Sequence, residues 1–252
     1  MGRNREFIVS TWIDSLSWSE AVERIMGWAE KRDPRVVCIC NVHSVVTART
    51  DTALREAISS ADLATPDGAP VAWLVGVRRR IKQPRVNGPD LTARLCAEAA
   101  RRGVAIAFYG STPETIELLK TILPAEYPGI RLAAMISPPF RALSEQERTE
   151  YNRQLNDSGA GIIFVGLGCP KQEIWMATQK SELNAVQIGV GAAFEFMAGT
   201  VRRPPKWMQR VGLEWLGRLQ AEPKRLWRRY LYTNTVYMFY LMQELLKIKR
   251  RD

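Results

Sequence analysis

Residues 91–113, LTARLCAEAARRGVAIAFYGSTP, carry the reading that decides the fold. Residues 91–102 place apolar side chains at helical spacing and stop at Gly103, a residue suited to the left-handed turn that ends a helix. Residues 104–109 then form a short apolar run with the length of a strand. Gly110, Ser111 and Thr112 turn the chain, and Pro113 occupies the first position of a second helix. The apolar run is continuous rather than alternating, as a strand covered on both faces requires. Similar runs at 7–9, 36–40, 63–65, 130–136, 162–165 and 186–190 are predicted strands, and helical text lies between most of them. Ser17 and Glu20 form a capping box for the first helix. This alternation predicts an α/β fold: a mostly parallel sheet with helices on both faces. In such sheets ligands bind beyond the carboxyl ends of the strands.

The composition breaks near Gly199 and Thr200. Residues 202–252 hold 13 Lys/Arg against 4 Asp/Glu, which is nearly all of the chain's net charge of +10. Three Trp (Trp207, Trp215, Trp227) and four Tyr (Tyr230, Tyr232, Tyr237, Tyr240) share that tail. Cations with Trp and Tyr suit the boundary between water and an anionic membrane surface. Pro204 and Pro205 cannot continue a helix or central strand. Residues 1–200 are therefore read as the catalytic body and 201–252 as a helical, basic and aromatic appendage, with Pro223 dividing it. Residues 230–248 are amphipathic, interrupted by Asn234, Gln243, Glu244 and Lys247, and are not a transmembrane span. No signal peptide is expected, because no apolar run follows Arg3 and Arg5. Cys38, Cys40, Cys96 and Cys169 read as reduced thiols of a cytoplasmic protein. Cys38 and Cys40 are expected on one inward strand face, and with a single His no metal site is expected.

Three loops after predicted strands permit close approach of a ligand: 64–68 with Asp67, 109–113 with Gly110 and Ser111, and 166–173 with Gly168, Lys171 and Gln172. Glycine lets backbone amides face an anion, a following helix adds a favourable dipole, and Lys171 adds charge. These features suit a diphosphate; ordinary tight α/β turns have the same composition. Asp67 is a candidate general base at the end of a buried strand, or else a turn former between Pro66 and Gly68. Arg85 offers a guanidinium ahead of a helix that Asp90 is placed to cap. Asn41 and His43 follow the second strand, where a lone His more often serves structure than catalysis.

Together these segments resemble the WecG/TagA/CpsF family of bacterial glycosyltransferases. The resemblance runs from Asn41-Val42-His43 through Pro66-Asp67-Gly68, 85–91 and 108–111. It continues with Gly168-Cys169-Pro170-Lys171-Gln172-Glu173, Arg203-Pro204-Pro205-Lys206-Trp207 and Glu214-Trp215 to Tyr230. It implies a Rossmann-like fold and an inverting, metal-independent transfer from a UDP-sugar to a polyprenyl-diphosphate-linked sugar. The location it implies is peripheral, on the inner face of the cytoplasmic membrane, in bacterial surface-polysaccharide synthesis. No cofactor is implied. Asp67 would be the general base, and Arg85 and Gln172 would line the donor pocket. Arg218, Arg225 and Arg228 would reach the donor diphosphate, and related proteins form homo-oligomers. Family donors are UDP-glucose, UDP-N-acetylmannosamine and its uronate. Ile39 departs from the pattern, standing where the family often has Thr. Two other classes compete. A basic nucleic-acid-binding protein has the charge but no recognition motif, so no nucleic-acid partner is expected. A nicotinamide-dependent oxidoreductase would need the third glycine that Lys171 replaces.

Overall fold

The computed structural model describes residues 4–249 of the 252-residue chain. The chain opens with a hairpin of β1 (Arg5–Ile8) and β2 (Thr11–Asp14). It continues through α1 (Trp18–Ala29), β3 (Arg35–Cys40), α2 (Val42–Thr47), α3 (Thr52–Ser60) and β4 (Leu63–Pro66). Then come α4 (Ala69–Arg79), α5 (Gly88–Arg102), β5 (Ala105–Gly110), α6 (Pro113–Glu126) and β6 (Arg131–Ile136). The last βα pairs are α7 (Glu145–Asp157), β7 (Ile162–Gly166), α8 (Lys171–Gln179), β8 (Val186–Gly189) and α9 (Ala193–Met197). The tail folds as α10 (Lys206–Arg210), α11 (Glu214–Ala221) and α12 (Pro223–Lys249).

Six strands form one sheet in the order β4-β3-β8-β7-β5-β6, and every pairing in it is parallel. Successive residues of each strand face opposite sides. Val37, Ile39, Ile106, Phe108, Ile162 and Phe164 build the core under α1, α5, α6 and α9. Val36, Cys38, Cys40, Ala107, Tyr109 and Val165 build the other core, which Tyr237 of α12 joins. Cys38 and Cys40 thus share one buried face. The Ser17 capping box is formed. Gly103 ends α5 at φ 67°.

Two local expectations change. The run at 7–9 is not a strand of the main sheet. It pairs antiparallel with β2, and Val9 turns the chain at φ 59°. Tertiary ties hold this hairpin: Ser10 Oγ donates to the Val45 carbonyl at 2.6 Å, and the Asp14 carboxylate accepts from the Ala64 amide at 2.7 Å. Asp90 does not cap α5. Asn87 does, accepting from the Asp90 amide at 3.0 Å, which frees the Asp90 carboxylate for Arg203 at 2.5 Å. Pro223 divides the tail as expected, between α11 and α12. No helix among the described residues is long and apolar enough to cross a membrane.

Candidate active site

The carboxyl ends of β3, β4, β5, β7 and β8 open into a crevice that α11 and α12 roof. It holds two adjoining cavities of about 530 Å³ and about 390 Å³, sizes usual for small-molecule sites. Asn41, His43, Asp67, Arg218 and Arg229 line both.

Asp67 sits where β4 ends. Its amide donates to the Cys40 carbonyl at 2.9 Å, fixing it to β3, and its Oδ1 accepts from the Gly68 amide at 2.6 Å. Gly68 adopts φ 78°, which few residues with a Cβ tolerate. Burial pushes the Asp67 carboxyl above the ordinary carboxylate range, and Glu214 adds to this. Arg85, Arg218 and the Gly68 amide pull the other way. Asn41 caps α2 by accepting from the Ser44 amide at 3.2 Å. Two residues on, burial and the nearby Arg229 charge lower His43 to about 4, against a backbone contact with Cys169. His43 is therefore neutral at pH 7, with Nδ1 3.2 Å from the Thr47 hydroxyl.

The floor of the larger cavity is made by close-packed loops. A Cβ on Gly110 would lie 2.6 Å from the Gly166 backbone, so only glycine fits there. Ser111 donates its amide to the Gly166 carbonyl at 3.1 Å and its hydroxyl to Glu195 Oε1 at 2.8 Å. Glu195 Oε2 is buried without a hydrogen-bond partner among the described residues. Gln172 is buried, and its Oε1 accepts from the amides of Gly168 at 3.2 Å and Gly191 at 3.1 Å. Its Nε2 donates to Glu173 at 2.8 Å. Gln172 thus latches the loops after β7 and β8 and lines the cavity from below. The amino ends of α5, α6 and α8 contribute Gly88, Thr112 and Gly168 to the lining, each bringing a partial positive charge.

The tail completes the roof. Arg218 of α11 stacks 4.8 Å from the Phe196 ring centroid and lies 3.4 Å from Glu214. Arg225 lines the larger cavity, held 2.7 Å from Glu222. The Nε atoms of Arg218 and Arg229 are buried with no hydrogen-bond partner among the described residues. Both arginines also line the two cavities, so positive charge faces the cleft.

Four expected contacts lie elsewhere, and the first is Gly110, which lines neither cavity and packs against Gly166. Arg85 lines neither cavity; it pairs with Glu214 at 2.8 Å behind Asp67. Lys171 is exposed at the start of α8 and lines neither. Arg228 is exposed, its guanidinium 5.2 Å from the Trp227 ring centroid, and Arg229 takes the inward position. Sequence reading missed Arg229 and Glu195. The i,i+4 spacing of Arg225 and Arg229 was a usable signal for the first; nothing in the text around Glu195 marks the second. Among the described residues no group of three or more His, Cys, Asp or Glu is arranged to hold a metal ion.

The sequence model of the family described as glycosyl transferase WecG/TagA/CpsF matches residues 7–251.

Proposed function

We propose, from the premise that the chain belongs to the WecG/TagA/CpsF family of glycosyl transferases, that it transfers a hexosyl group with inversion from a UDP-sugar to a polyprenyl-diphosphate-linked sugar. The carrying observation is that Asp67 and the arginines Arg218 and Arg229 line both cavities at once. The larger cavity takes the donor. Its diphosphate lies under Arg218, Arg225 and Arg229, and Glu195, with an unused oxygen, accepts from a ribose hydroxyl or the base. Phe140, 80% exposed at the cavity edge, offers a ring face to the base. The smaller cavity, with Trp215, Tyr230, Tyr237 and Met238, takes the acceptor.

Asp67 stands between them. The acceptor hydroxyl gives its proton to the Asp67 carboxylate as its oxygen bonds to the sugar's anomeric carbon. The bond from that carbon to the diphosphate oxygen breaks on the opposite face, and its electron pair leaves with UDP. A carboxyl with raised proton affinity is a stronger base, provided it is ionised at working pH. The departing diphosphate gains charge in the transition state, and guanidinium groups fixed in place stabilise it as a divalent cation would. Ile39 puts methyl groups on the donor wall where relatives often have a hydroxyl. Residues 1–200 act as the catalytic body and 201–252 as an appendage that closes the crevice. The exposed face of α12, with Trp227, Leu231, Phe239, Met242 and Leu246, rests on an anionic membrane surface.

The test is UDP release from UDP-glucose, UDP-N-acetylmannosamine and its uronate with a lipid-diphosphate-linked acceptor. One donor should support turnover, and Asp67→Asn should cut kcat by about 10²–10⁴ while donor affinity stays. Normal turnover by Asp67→Asn would refute the base assignment.

A further inference from the structure

The body carries an exposed apolar and basic surface of its own, on the hairpin and α4. Phe7 and Trp12 are cross-strand partners with ring centroids 5.4 Å apart, edge to face, yet they are 42% and 45% exposed. On α4, Pro70, Trp73 and Val77 follow helical spacing, with Trp73 48% exposed. The helix ends at Arg80 in a left-handed conformation, φ 56°, and Ile81 beyond it is 51% exposed. Arg80 and Lys82 are exposed and make no ion pair among the described residues.

This surface is fixed to α12. The Arg78 guanidinium donates at once to the Phe7 carbonyl, to the Tyr240 hydroxyl at 3.2 Å and to the Glu244 carboxylate. Arg79 lies 3.6 Å from Glu6. At the other end of α4, Tyr237 donates its hydroxyl to the Pro70 carbonyl at 2.8 Å. Residue 70 therefore meets 237, and residue 78 meets 240 and 244, so side chains tie α4 to α12 at two points. Two outward rows result: Trp73 and Ile81 continuing to Phe7 and Trp12, and Leu231, Met238, Met242 and Leu246 on α12. Pro70, one turn before Trp73, and Met238 of the α12 row also line the smaller cavity.

We propose that the hairpin and α4 form a second membrane-contact surface, which with α12 seats the protein on an anionic bilayer so that the smaller cavity opens between two lipid-facing rows. The occupant is lipid. Exposed Trp and Phe beside Arg80 and Lys82, which make no ion pair among the described residues, match the headgroup boundary, where rings enter and cations stay with phosphate. A second row, away from the axis of α12, adds a contact that restrains the tilt of the body. This inference rests on the membrane-borne acceptor proposed above.

Co-sedimentation of the full chain with phosphatidylcholine vesicles, with and without phosphatidylglycerol, tests it. Phe7→Ser/Trp12→Ser/Trp73→Ser should weaken binding to both vesicle types by about tenfold. Arg80→Glu/Lys82→Glu, at exposed and unpaired positions, should reduce the preference for phosphatidylglycerol without changing the melting temperature. If both variants bind as the parent does while Leu231→Ser/Met242→Ser loses binding, α12 alone meets the membrane and the second surface is refuted. If the parent binds no vesicle, the membrane reading falls as well. If the triple variant dissociates an oligomer of the parent and vesicle binding is unchanged, the surface joins two copies of this chain and the inference is overturned.

Discussion

At the scale of the residue, Asp67 and His43 are set apart by the same burial. Burial raises the Asp67 carboxyl, so the folded state holds that proton more tightly than the unfolded state does. Above the folded value the ionised carboxylate is a penalty on stability, and the penalty disappears as pH falls through it. Asp67→Asn should therefore raise the melting temperature at pH 7 while it lowers kcat, as groups held strained for function do. His43 has the opposite sign. Its proton affinity falls to about 4 in the fold from an ordinary 6.5, so between those values the unfolded chain binds the proton and the folded chain does not. Stability should drop as pH falls from about 6.5 to about 4. Melting curves across that window should show the slope, and His43→Gln should flatten it. An unchanged slope in the variant would place the titrating group elsewhere. Asp67 was legible from its place after an apolar strand. The latch made by Gln172 was not, because its partner Gly191 is 19 residues away in sequence and enters from a different loop.

Elements carry the next distinction. In α12, Arg225 and Arg229 are four residues apart and turn one face to the crevice, while Arg228 turns out over Trp227. Arg229→Ala should lower donor affinity and turnover by about 10–100-fold, the loss of a charge-assisted contact to phosphate. Arg228→Ala should leave both within about twofold and weaken vesicle binding instead. Steady-state kinetics on the two variants decides this, and equal effects would contradict the orientation of the helix. The strands of the main sheet were legible because each is a continuous apolar run between helical segments. The hairpin was not. Its turn places Val9, a β-branched residue, at positive φ, against every local preference, and contacts from Val45 and Ala64 hold it there. The cap of α5 was read one turn late because both Asn87 and Asp90 suit an N-cap, and only Arg203, 113 residues from Asp90, decides between them.

Across the whole molecule, the tail's few acids explain how so basic a segment lies on the body. Glu214 pairs with Arg85, Glu244 with Arg78, and Glu222 holds Arg225 in place. Arg203 of the tail returns a pair to Asp90. The pairs with the body pin the tail, with Arg218 and Arg229 at the crevice and Arg228 on the outer surface. Composition revealed the surplus charge but not this division, because Arg228 and Arg229 are neighbours in sequence and point to different sides of one helix. The central claim is that Arg218, Arg225 and Arg229 hold the nucleotide's diphosphate where other enzymes use a divalent ion. Calorimetric titration of UDP into the full chain and into Arg218→Ala/Arg225→Ala/Arg229→Ala, each with and without EDTA, tests it most directly. The parent should bind equally well under chelation, and the triple variant should bind at least about a hundredfold more weakly. A triple variant that binds like the parent, or a parent whose affinity collapses in EDTA, would contradict the account.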